Sequence, residues 1–97
     1  MRRHAAVGEP IENLDTPSLL VDYSLLTKNI RFMADFFAER KPVLRPHIKT
    51  HKCPEIARMQ LSAGAIGITC AKVSEAEVFA DAGIQDILIA NQITGNV

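Results

Sequence analysis

Apolar positions along this chain alternate between two spacings, and each change of spacing marks a boundary between elements. After the Asp15-Thr16-Pro17 turn, the short apolar run Ser18-Leu19-Leu20-Val21-Asp22 predicts a strand. Leu26, Ile30, Met33 and Phe37 then recur at helical spacing, which predicts a helix from an N-cap at Ser24 to about Arg40, ended by Pro42. Val43 to Lys49 predicts a second strand, interrupted by Pro46, which has no N–H to give to a ladder. Pro54 suits the first turn of a helix to about Ala63, with Gly64 just past its end. Ile66 to Ala71 is rich in β-branched residues and predicts a third strand. Ser74 with Glu77 has the spacing of a capping box, Val73 with Val78 that of a hydrophobic staple, and Gly83 stops the helix they open. Asp86 to Asn91 is a last strand, and its unbroken Ile87-Leu88-Ile89 run predicts cover on both faces.

The joints repeat. Ala63-Gly64-Ala65 and Ala82-Gly83-Ile84 each lead from helix into strand. A leucine-rich repeat would share that short period but needs an L-x-x-L-x-L strand, which is missing. Alternating strands and helices with short links predict an α/β fold with a parallel sheet. It would form the opening units of a (β/α)8 TIM-type barrel or of an open doubly wound sheet. No G-x-G-x-x-G follows a strand, which argues against the dinucleotide-binding form. Residues 1–14 show no periodicity and are expected to be a leader, with 15–97 one partial barrel domain. So few parallel strands leave an apolar edge unpaired, so the chain is expected to be a fragment or to complete its core with another copy or a partner.

Composition narrows the class. With 97 residues and 47% hydrophobic content the chain is one small domain and not a disordered segment. Eleven basic residues balance eleven acidic ones, and aromatics are few, so neither the charge nor the stacking platform of a nucleic-acid binder is present. No window approaches the ~18 apolar residues of a membrane span, and no signal-peptide run follows Met1-Arg2-Arg3-His4. Cys53 and Cys70 lack the second pair of a zinc site and suit free thiols in a reducing compartment. A cytoplasmic location follows from these features.

Charge is nevertheless concentrated in one place. Between Arg40 and Pro54 lie five cationic side chains (Arg40, Lys41, Arg45, Lys49 and Lys52), with His47 and His51, and no acid. Neighbouring positive charge and burial both favour a neutral amine, the form that attacks a carbonyl. Lys49, or else Lys52, is therefore a candidate covalent residue. Strand alternation places Arg45, His47 and Lys49 on one face and Leu44, Pro46 and Ile48 on the other, with Lys49 at the C-terminal end, where barrel enzymes carry their chemistry. A solvated basic loop is the competing explanation.

Other candidates carry less. His51 can bind a metal or move a proton, or simply face solvent. His47 suits an inward histidine supporting Lys49, and Cys70 a small core residue. Glu75 and Glu77 suit a helix start. Asn91 and Gln92, just past the last strand, are placed to reach a ligand.

The run Arg45-Pro46-His47-Ile48-Lys49-Thr50-His51-Lys52 resembles the cofactor-lysine segment of the D-threonine aldolase and eukaryotic-type D-serine dehydratase family, alanine-racemase-like enzymes that use pyridoxal 5′-phosphate. Leu14-Asp15-Thr16-Pro17, Ala63-Gly64-Ala65, Ala71-Lys72, Glu75-Ala76-Glu77 and Ala82-Gly83-Ile84 through Asp86-Ile87-Leu88-Ile89-Ala90 resemble it too, in order. The resemblance implies a (β/α)8 barrel with a β-rich C-terminal domain, alongside which residues 18–22 would lie. Lys49 becomes the Schiff-base lysine, the one residue the resemblance carries over; His47, beside it, is a further candidate for cofactor binding. The substrate would be a D-3-hydroxy amino acid, cleaved to glycine and an aldehyde, or dehydrated with help from a divalent metal. Metal ligands and phosphate-binding groups belong to parts of the family absent from this chain, so no metal-binding residue is assigned. The full-length form is expected to be a homodimer, and the 97-residue chain alone to be inactive. A non-catalytic cofactor-binding protein of the same fold type, or an inactive truncated product, is the alternative.

Overall fold

The structure is a computed structural model that describes residues 7–95. Helix α1 (Tyr23–Phe37) is followed by an extended segment at 43–47. Helix α2 (Pro54–Ser62), strand β1 (Ile68–Cys70), helix α3 (Val73–Asp81) and strand β2 (Ile87–Ile89) complete the order. The expected mixed α/β succession holds. β1 and β2 pair in parallel with Ile68 opposite Ile87, Thr69 opposite Leu88 and Cys70 opposite Ile89.

The 43–49 strand is reduced to that extended segment. One parallel bridge joins His47 to Thr69, and the carbonyls of Leu44 and Pro46 accept from the N–H groups of Ile66 (3.0 Å) and Thr69 (2.8 Å). Pro46 gives the ladder no donor, and the chain then turns into a 3-10 helix at Ile48–Thr50 instead of running on to Lys49. The 18–22 strand does not form. Leu19 is 98% exposed, and no ladder partner for the segment exists among the described residues. Of the 1–14 leader, residues 1–6 lie outside the described residues, and Ile11–Asn13 is a 3-10 turn.

Register places side chains in rows across the sheet. His47, Thr69 and Leu88 are opposite one another and so share a face. Two residues earlier, Arg45, Gly67 and Asp86 make the row nearer the N-terminal edge. Arg45 Nη1 lies 2.8 Å from Asp86 Oδ1 and also donates to the carbonyls of Ile68 (3.2 Å) and Asp86 (3.4 Å). Gly67 is needed because a Cβ there would stand 2.5 Å from Arg45 Nη1 and 2.5 Å from the Asp86 carbonyl. The opposite face carries the core: Ile48, Ala57, Ile68, Cys70, Ala76, Phe79 and Ile84, with Leu61, Ile87 and Ile89 packed on it. Complete burial of Ile48 and Ile68 contributes roughly 1.5–3 kcal/mol each. β2 is not covered on both faces, as the apolar run predicted. Leu88, in the His47 row, is 51% exposed.

Helix caps differ in register from the sequence reading. Asp22, not Ser24, caps α1, its carboxylate accepting from Leu25 N–H at 3.0 Å. The helix ends at Phe37, ahead of Pro42, where Arg40 Nε takes over the Phe36 carbonyl at 2.7 Å. Lys72, not Ser74, is the N-cap of α3, and Glu75 accepts from the N–H groups of Ala71 (2.9 Å) and Lys72 (3.1 Å). That makes Val73 the first helical residue, so the Val73–Val78 staple is not made, and Val78 is 57% exposed. Gly64 and Gly83 end α2 and α3 with φ of +119° and +96°, as their sequence positions predict.

Candidate active site at the C-terminal edge of the sheet

A six-residue turn, Ile48 to Cys53, leaves the first extended segment at the C-terminal edge and carries both candidate lysines. Its geometry comes from its histidines. His47 Nδ1 accepts from Lys49 N–H at 3.1 Å, and His51 Nδ1 accepts from Cys53 N–H at 2.9 Å. An Nδ1 that accepts bears no proton, so each neutral ring carries its hydrogen on Nε2. His51 Nε2–H then donates to Gln60 Oε1 at 3.1 Å, tying the turn to α2. His51 is thus a half-buried tether and not a surface residue. His47 Nε2–H has no protein partner among the described residues.

The backbone closes the turn. Ile48 carbonyl accepts from His51 N–H (3.2 Å) and Lys52 N–H (2.7 Å), and the Ile48 side chain is wholly buried beneath. Lys52 has φ of +49°, the one positive φ outside glycine among the described residues. A lysine adopts that conformation only where its surroundings impose it.

Acids brought in by the fold change the charge picture. The sequence places no acid within 40–54, but Arg45 meets Asp86, and Lys52 Nζ lies 3.4 Å from Glu75 Oε2. The Arg40 guanidinium lies 4.0 Å over the Phe36 ring. Lys41 and Lys49 keep no side-chain partner among the described residues, and Lys49 is exposed. The backbone N–H of Ala71 holds the Glu75 carboxyl below its ordinary range; burial opposes this, and Lys52 and the Lys72 N–H add to it. Burial, and secondarily the Glu75 charge, push the Cys70 thiol up, as suits a core residue and not a nucleophile.

The remaining candidates fall into structural roles. Asn91 Nδ2 donates to the Ala71 carbonyl at 3.2 Å and its Oδ1 accepts from Gln92 N–H, so Asn91 joins the ends of β1 and β2. A cavity of about 670 Å³ lies between α1 and the extended segment, lined by Leu26, Ile30, Phe37, Leu44 and Pro46, with neither Lys49 nor His47 in its wall. The helical stripe of α1 therefore borders open space instead of a packed core. No group of three or more His, Cys, Asp or Glu is arranged to hold a metal ion among the described residues. Sequence reasoning missed Glu75 and Asp86 as partners of the basic segment. Opposite charge is a weak signal when 23 and 41 residues separate the partners.

The described residues thus form a parallel α/β unit with the Lys49 amine, unpartnered among them, at the carboxyl edge of its first segment. No protein-family model matches the chain. A D-threonine aldolase from Arthrobacter sp. is 50% identical over 91 residues, which are 94% of this chain and 24% of that protein. D-threo-3-hydroxyaspartate dehydratase from Delftia sp. is 43% identical over 77 residues, 79% of this chain and 20% of that one. The crystal structure of D-threonine aldolase from Filomicrobium marinum superposes with a TM-score of 0.90 at 47% identity, covering 98% of this chain and 26% of that one. The chain belongs to the family of D-threonine aldolases, hydroxyaspartate dehydratases and D-serine dehydratases, and spans about a quarter of the length of the relatives it matches.

Proposed function

We propose that the chain forms the first units of a (β/α)8, alanine-racemase-like barrel in a pyridoxal-phosphate-dependent lyase acting on D-3-hydroxy amino acids. The reaction we assign is that of D-threonine aldolase, cleavage to glycine and an aldehyde. The observation that carries this reading is Lys49, whose amine has no partner among the described residues, on a turn fixed by His47, His51 and the buried Ile48. The 50% identity to an aldolase over 94% of the chain supports this reaction class. Residues 15–97 make the barrel portion. Cytosolic residence and a homodimer complete the reading; no helix among the described residues is long and apolar enough to cross a membrane.

The residues present suit one end of pyridoxal phosphate. Lys49 Nζ would hold its aldehyde carbon, and His47 Nε2–H, at the N-cap of the same turn, would donate to an oxygen of the cofactor. The bound cofactor supplies an electron sink for charge developing on the substrate. Lys49 Nζ would also be the group that holds or moves a proton there, on a backbone held by the His47 and Ile48 hydrogen bonds. A divalent metal would be held by residues beyond those described. A solved hydroxyaspartate dehydratase described as being in a metal-free form supports a metal in such relatives.

Borohydride reduction in the presence of pyridoxal phosphate, followed by peptide mapping, tests the assignment. The adduct is expected on Lys49 and absent from Lys49→Ala. D-threonine yielding glycine and acetaldehyde selects the aldolase. Pyruvate and ammonia from D-serine would select a dehydratase, the second reading, which the 43% identity to the Delftia enzyme favours. Cofactor binding without any product would leave a non-catalytic binding protein.

A further inference from the structure

Two lysines stand three residues apart on one turn, and both are primary amines able to condense with an aldehyde. Their surroundings differ. Lys52 Nζ lies 3.4 Å from Glu75 Oε2, while Lys49 has no partner among the described residues. Glu75 cannot follow either lysine about. Its Oε1 is held by two backbone N–H groups, of Ala71 and Lys72, and its side chain is only 11% exposed. The carboxylate is therefore a fixed point built into the β1–α3 junction. Lys52 is bent towards it by a left-handed backbone and by its own N–H bond to the Ile48 carbonyl at 2.7 Å.

We propose that Glu75 is a positioning residue that selects between the two amines: it engages Lys52 as the cationic half of an ion pair and leaves Lys49 as the amine that forms the covalent adduct. This rests on the cofactor reading above. An amine so engaged must give up its partner before its lone pair can attack a carbonyl carbon. The left-handed conformation at residue 52 serves the same end, because it turns that side chain towards α3. Lys72, also exposed, is the other cation at this junction, and its backbone N–H, not its amine, meets Glu75.

The test compares adduct distributions in the full chain, with pyridoxal phosphate as probe. Nζ adds to the aldehyde carbon, the oxygen leaves as water, and borohydride reduces the C=N bond to a stable secondary amine. The unsubstituted chain should carry the label on Lys49 in preference to Lys52. Glu75→Gln keeps an oxygen for the two N–H groups and removes the charge. It should raise the Lys52:Lys49 ratio about two- to fivefold, the range that an exposed ion pair can supply. The added label should vanish in Glu75→Gln/Lys52→Arg. Should Glu75→Gln not fold, raising salt to ~1 M around the unsubstituted chain screens the same pair and should move the ratio in the same direction. A ratio unmoved by both changes overturns the role of Glu75 and leaves the cofactor reading standing. An adduct of the unsubstituted chain on neither lysine overturns the cofactor reading instead.

Discussion

Arg45 and Asp86, 41 residues apart in the chain, meet with Nη1 and Oδ1 at 2.8 Å, and the guanidinium crosses Gly67 to get there. One side chain thus joins the extended segment, β1 and β2 at the edge remote from Lys49. The pair should therefore matter to folding through Arg45 more than through charge. Arg45→Ala removes a charged donor from two backbone carbonyls, of which that of Asp86 keeps the Ile68 N–H, and should cost about 1–3 kcal/mol. Asp86→Asn disturbs only an ion pair whose acid is 59% exposed and should cost about 0.2–1 kcal/mol. Urea midpoints measure both. Equal losses would mean that charge, not carbonyl satisfaction, dominates.

Gly67 offers a sharper version of the same test. A Cβ at 67 would collide with Arg45 Nη1 and, less avoidably, with the Asp86 carbonyl. Gly67→Ala should destabilise by about 1–3 kcal/mol, since a strand must shift to admit it. In an Arg45→Ala background the flexible half of the collision is gone, so the same substitution should cost less. A double-mutant cycle in which the two losses simply add would sink this account of the row.

How far the chain was legible follows from which groups decide each feature. Gly64 and Gly83 end their helices where the sequence puts them, because the positive φ is a local demand. Caps were misplaced by two residues each time. Ser24 and Ser74 have the favoured chemistry, but Asp22 and Glu75 stand where the free N–H groups fall. Ile48 is wholly buried, as the alternation expects, although the strand gives way to a 3-10 helix at that residue. The 18–22 run reads as a strand by composition, yet strand formation requires a partner ladder and none exists among the described residues. The basic segment looked uncompensated for a similar reason: its acids arrive from later in the chain, and only the fold brings them there.

Cys70 and Cys53 should separate cleanly by reactivity. Cys70 is completely buried and its thiol is pushed up by burial and by the Glu75 charge, whereas Cys53 is half-buried at the start of α2. The thiolate is the reactive form, so iodoacetamide at mildly alkaline pH should label Cys53 first. In urea the two rates should converge. Faster labelling of Cys70 in the folded chain would show that the β1–α3 core opens more readily than its packing implies.

Acid should weaken the fold partly through Glu75. Its folded carboxyl is held below the ordinary value, chiefly by Ala71 N–H, with Lys52 and Lys72 N–H adding to it. A depressed acid binds its proton less readily folded than unfolded, so stability falls wherever the unfolded chain is taking up that proton and the folded one is not. The contribution is complete above the unfolded carboxyl value of about 4.3 and is lost as pH drops from there through the depressed folded value. Glu75→Gln has no such proton to bind. Its urea midpoint should therefore start lower near neutrality and decline less on acidification than that of the unsubstituted chain. Other carboxylates titrate in both proteins and cancel in the difference. Parallel declines across that window would mean that the Ala71 and Lys72 N–H bonds do not discriminate between carboxylate and carboxylic acid, and Glu75 would lose its place as the charged anchor of the β1–α3 junction.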